Sequence, residues 1–115
     1  MSASSSAPTN ADAAAAATEH ASMLELQETV SRLSGHTGVE AVLILNAGGD
    51  ILVQSGAAAN TLQAVAVQQL MRTATAYLQS LQPTDRVSFM QIRSQQQQEI
   101  MIAPHGDYVL AILKR

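Results

Sequence analysis

The sequence predicts an α+β domain: a five-stranded, mostly antiparallel sheet with one helix on each face, in the order helix, strand, strand, helix, strand, strand, strand. Three features carry that expectation. The last quarter of the chain, Val87 to Arg115, holds three short strand-like runs separated by tight turns. The runs Val39 to Asn46, Ile100 to Ala103 and Tyr108 to Leu113 are apolar on both faces, so each needs cover above and below the sheet. Two further segments repeat apolar residues at helical spacing and supply that cover. With 115 residues the chain makes one domain, long enough to bury about two thirds of its surface without cross-links.

Taken in order, Met1 to Ala21 is rich in alanine and serine and has no bulky apolar residue after the initiator. We read it as a tail, disordered or partly helical, that contributes nothing to a core, with the domain running over 22–115. It lacks the basic start and leucine-rich middle of a secretory signal and the arginines of a transit peptide, so the expectation is a soluble intracellular protein. Met23, Leu26, Val30 and Leu33 then form one stripe of an amphipathic helix, closed by Gly35 and Gly38. In Val39 to Asn46, alternation sets Val39, Ala41, Leu43 and Leu45 on one face, with Val42 and Ile44 on the other. The turn Ala47-Gly48-Gly49-Asp50 leads into a short return strand, Ile51 to Gln54.

The segment Ala59 to Gln82 is the long helix, stopped by Pro83. Ala66, Val67, Leu70, Met71, Ala74, Tyr77, Leu78 and Leu81 are expected to cover the sheet. The opposite side, including Leu62, Val65, Gln69, Arg72 and Ala76, carries Arg72 as its only charge. A solvated helix face normally has several charges, so this side is expected to meet protein. Val87 to Ser94 is broken by Ser88, Gln91, Arg93 and Ser94, as suits an edge strand. Gln95 to Gln98 forms the next loop, and Gly106 supplies the positive φ that the final turn needs.

Composition narrows the function. The net charge is −3 and the six cations are scattered, which argues against a nucleic-acid surface. Cysteine is absent, which removes disulfides, thiolate metal sites and cysteine catalysis. Charged residues make up 13% of the chain against 47% apolar, a balance that favours burial against a partner. His20, His36 and His105 fall in separate segments without ligand spacing. Glu40, Asp50, Asp85, Glu99 and Asp107 sit at turns and strand starts, and the Gly48-Gly49 turn leads to a strand instead of the helix N-terminus of a phosphate cradle. No G-x-S-x-G elbow occurs. The reading is a non-enzymatic interaction module with no cofactor, no metal, no nucleic-acid partner and no membrane insertion.

Three runs carry a more particular likeness: Val87-Ser88-Phe89-Met90-Gln91-Ile92-Arg93-Ser94, Glu99-Ile100-Met101-Ile102-Ala103-Pro104 and Asp107-Tyr108-Val109-Leu110. With I-R-S, E-I-M-I-A-P and D-Y at these spacings, and a V-L-I-L-N strand followed by a G-D turn, the chain resembles the roadblock-type dynein light chains over about Gln27 to Leu113. The resemblance implies a homodimer, or a heterodimer with another roadblock light chain, in which long helices pack together and the Val87 to Ser94 strands pair into one continuous sheet. It assigns the dimer and partner interface to Leu62, Val65, Gln69, Arg72, Ala76, Phe89, Gln91 and Arg93. It further implies binding of the dynein intermediate chain, with a role in motor assembly and cargo attachment at microtubules, in the cytoplasm or in a cilium or flagellum axoneme. Two other readings stand beside it: a roadblock module that regulates or scaffolds a small GTPase, and an unrecognised enzyme, which no catalytic constellation supports.

Overall fold

The computed structural model describes residues 23–115. The expected tail, Met1 to Ala21, lies outside the described residues, as does Ser22. Residues 23–34 are helical (α1), followed by β1 (Val39–Leu45), β2 (Ile51–Ser55), α2 (Thr61–Leu81), β3 (Met90–Arg93), β4 (Glu99–His105) and β5 (Tyr108–Lys114). The strands form one five-stranded sheet in the order β2-β1-β5-β4-β3, with every neighbouring pair antiparallel. The expected element order and fold class hold. β5 lies in the middle, as its unbroken apolar run requires, and the polar strand β3 lies at an edge.

Each face of the sheet has its own core. On one side Leu43 and Leu45 of β1, Ile102 of β4 and Ala111 of β5 close around Ala64 and Val67 of α2. On the other, Val42 and Ile44 of β1 meet Val30 of α1, with Leu26, Leu33, Leu110 and Ile112 packed around them. The alternation along β1 explains the division, with one exception. Val39 packs with the α1 cluster and not with Leu43 and Leu45, because a bulge interrupts its pairing with β5: Val39 faces Lys114 while Ala41 faces Leu113, which leaves Glu40 as an extra residue.

β3 is shorter than the sequence run suggested, since residues 87–89 do not pair. Continued at the same register, the ladder would set Ser88 opposite Pro104, whose ring leaves no N–H to donate. The expected helix also shortens at both ends. Asn60 is its N-cap, with a side-chain oxygen that accepts a hydrogen bond from the Gln63 N–H at 2.9 Å, and Gln82 closes the other end before Pro83.

The stripe that α2 buries differs from the one expected. Ala64 and Val67 are fully buried, and Leu70 and Met71 pack beside them, but Ala66, Tyr77 and Leu81 are exposed. A helix of 21 residues spans roughly 32 Å, whereas the seven-residue strands span about 24 Å, so its last turns overhang the sheet. Ala66 and Tyr77 belong to a flank and not to the sheet-facing line.

Two glycines allow a comparison between strain and crowding. A Cβ at Gly56, where φ is +97°, would sit 2.1 Å from the Glu40 carbonyl oxygen, whereas one at Gly106, where φ is +59°, would meet nothing within 4 Å. Gly56→Ala is therefore expected to cost at least about 2 kcal/mol and to lower Tm by on the order of 10 °C, against about 1 kcal/mol for Gly106→Ala. Equal shifts for the two variants in thermal melts would contradict the packing of the β2–α2 loop against β1.

Candidate functional site: an uncovered helix and sheet edge

Covering the sheet takes only one line of α2, and what remains outward is unusually apolar. Leu62 is 80% exposed, Tyr77 65% and Leu81 68%, and just before β3 Phe89 is 55% exposed. Leu62, Ala66, Thr73 and Tyr77 recur at spacings of four and seven, so they share one flank. The other flank, with Gln68, Met71, Arg72, Thr75 and Gln79, lies against the β1–β2 turn and Val109. Since α2 carries the chain from β2 at one edge to β3 at the other, the Leu62–Tyr77 flank is the one turned toward β4 and β3. Ile92 of β3, itself 38% exposed, shares the parity of Met90, which packs on the α2 side. Beyond it, among the described residues, the outer hydrogen-bonding edge of β3 has no strand beside it.

All eight residues assigned from the resemblance are exposed. By helical spacing Val65, Gln69, Arg72 and Ala76 share the outward crest of α2, with Leu62 on its β3-side flank, and Phe89 precedes the edge strand. Arg72 and Ala76 also border the flank toward the β1–β2 turn. Gln91 and Arg93 point to the α1 side of β3, opposite in parity to Met90 and Ile92. Tyr77, Leu81 and Ile92 are surface residues that the resemblance does not assign. Tyr77 and Leu81, expected to cover the sheet, stand outward, and the signal for Leu81 is length, since the last turn of so long a helix outruns short strands.

Gln91 and Arg93 have a role inside the chain. Arg93 pairs with Glu99 across the β3–β4 ladder at 2.9 Å, and the Gln91 side-chain amide donates to the same carboxylate oxygen. These two hydrogen bonds hold the Glu99 carboxyl below the ordinary carboxylate range. The hairpin closes through Ser94, whose Oγ accepts from the N–H groups of Gln96 at 3.2 Å and Gln98 at 3.1 Å, with Gln97 at φ +70°. Much of the I-R-S…E run is thus accounted for by making this hairpin.

His36 lies in the α1–β1 loop and His105 at the end of β4, while His20 is outside the described residues. Among the described residues no three His, Asp or Glu side chains gather in a metal-binding group. No helix there is long and apolar enough to cross a membrane.

Comparison with known proteins agrees with this architecture. The Roadblock/LC7 domain family matches residues 25–114, and the chain belongs to that family. Among solved structures, a Roadblock/LC7 domain from Streptomyces avermitilis superposes with a TM-score of 0.67 at 12% identity, covering 76% of each chain. MglB of Myxococcus xanthus gives a TM-score of 0.67 at 14% identity, over 80% of this chain and 71% of that one. The gliding protein MglB of Thermus thermophilus gives 0.60 at 18% identity, over 80% and 70%. At these identities the likeness concerns the fold.

Because the Glu99 carboxyl is held low by partners present only in the folded chain, its contribution to stability is full above its unfolded value, near 4.5, and is lost as pH falls through the lower folded value. Replacing Glu99 with Gln is expected to lower Tm near neutral pH and to leave a difference from wild type that shrinks as pH falls below 4.5. Melts across that range check it, and a difference constant with pH would rule out the linkage.

Proposed function

We propose that this protein is a non-catalytic roadblock light chain of a dynein motor, working as a dimer that holds a segment of the dynein intermediate chain and so supports motor assembly and cargo attachment along microtubules. The observation that carries the reading is the apolar band of Leu62, Tyr77, Leu81, Phe89 and Ile92 beside the unpaired edge of β3. A band of this kind on a lone domain marks a contact surface, and an open strand edge invites a second strand. A second copy answers both needs: antiparallel pairing of β3 with its mate extends the sheet, and the apolar flanks of the two α2 helices close over it. Leu62, Val65, Gln69 and Phe89 then belong to the dimer face. The partner can equally be another roadblock light chain.

The intermediate chain as partner is supported by the I-R-S, E-I-M-I-A-P and D-Y run, which resembles dynein light chains in particular. On that reading the protein works in the cytoplasm or in an axoneme, at microtubules. The rival reading, a module that regulates or scaffolds a small GTPase, remains because one fold with one dimerising face serves different partners.

Sedimentation equilibrium is expected to give a dimer burying more than about 1,200 Å² in total. Leu62→Asp should yield a monomer with an unchanged circular dichroism spectrum, since a carboxylate in the closed apolar face would be buried without a partner. A wild-type monomer at high micromolar concentration would overturn the dimer. Affinity purification of the tagged chain from its own cells should recover dynein intermediate chain, and recovery of a small GTPase without dynein chains would favour the rival.

A further inference from the structure

The flank of α2 that faces away from the proposed dimer surface borders a groove of about 470 Å³, within the range of about 300–1,000 Å³ usual for binding clefts. Leu45, Val67, Met71 and Val109 give it an apolar floor. Its far wall is the β1–β2 turn, which is fixed from within: the Asn46 side-chain oxygen accepts from the N–H groups of Gly48 at 3.0 Å and Asp50 at 2.9 Å. The Gln68 amide ties this wall to the helix by donating to the Gly48 carbonyl at 3.4 Å. The turn wall is thus braced from within and tethered to the helix wall.

Arg72 stands on the helix wall and is the only charged residue in the lining or in α2. It is exposed, and among the described residues the two ion pairs, Arg93–Glu99 and Arg115–Glu40, leave it out. An apolar or basic occupant would strip water from the guanidinium without replacing it. A bare anion would leave the apolar floor unused. The α2 of a second copy cannot supply the missing charge, because that helix has no carboxylate.

We propose that this groove docks an acidic amphipathic helix from a partner protein. A large apolar side chain enters over Leu45, Met71 and Val109, and a carboxylate about one helical turn away pairs with Arg72, in the manner of other helix-in-groove contacts. The lining includes none of Leu62, Val65, Gln69 and Phe89, so a dimer closed through those residues would present two such grooves.

The test uses two synthetic amphipathic helical peptides, identical except that the glutamate flanking a central phenylalanine is lysine in the second. Each is titrated into the isotope-labelled full chain and followed by amide chemical shifts. The glutamate peptide is expected to bind at least about tenfold more tightly than its lysine twin. Its shifts should centre on Gly49, Gln68, Met71 and Thr75 and spare Leu62 and Tyr77. Arg72→Glu should invert the preference, and Arg72→Gln should bring the two affinities together. Absence of binding, equal affinity of the two peptides for wild type, indifference to the Arg72 substitutions, or shifts centred on Leu62 and Tyr77 would each overturn the proposal. Repeating the titration on the Leu62→Asp chain separates the two surfaces: binding there is expected to persist, and its loss would show that the groove depends on the dimer face.

Discussion

The structure depends on the double burial of β5. With β1 and β4 as neighbours and a core cluster on each face, Tyr108–Lys114 forces the rest of the chain to supply cover on both sides. Its alternating side chains divide the work, Ala111 toward α2 and Leu110 and Ile112 toward α1. β1 repeats the pattern, with Leu43 and Leu45 on one side and Val42 and Ile44 on the other. Both strands bury side chains on each face, so the sheet and its two helices share their cores.

That demand also leaves surface exposed. One helix laid on a five-stranded sheet touches it along a single line, and the line of α2 is short, centred on Ala64, Val67 and Met71. Its two flanks then differ in character because they face different surroundings. One overlooks the open edge of β3 and is apolar, with Leu62 and Tyr77. The other closes a groove against a rigid turn and carries Arg72. A helix that gives charge to neither flank except at one point makes little provision for solvent on either side, which agrees with the low charge content of the whole chain.

The run that carries the family likeness acts at two levels. Arg93, Ser94 and Glu99 close a hairpin through an ion pair, a serine-bonded turn and a glutamine at positive φ, while Phe89 and Ile92 beside them remain outward. The same few residues thus fix the register of the edge strand and present its apolar side chains. Pro104, in the same run, accounts for where that strand stops pairing.

By itself the sequence determined the number, order and kind of elements, the double burial of β1 and β5, and the outer position of β3, because side-chain period and turn chemistry are local and each strand reports its own exposure. The double burial expected of β4 is not met, since only its α2 side, with Ile100 and Ile102, joins a core cluster. The sequence also carried the low charge of α2, whose one charged residue is Arg72. It did not determine which outward residues stand together. The bulge that sends Val39 to the α1 side, the early end of β3, the overhang that exposes Leu81, and the placing of Tyr77 with Leu62 on one flank and Arg72 on the other all follow from how the elements meet. Periodicity fixes angles around one helix axis, but only packing against a particular sheet fixes which angle points inward and how far along the axis the cover extends.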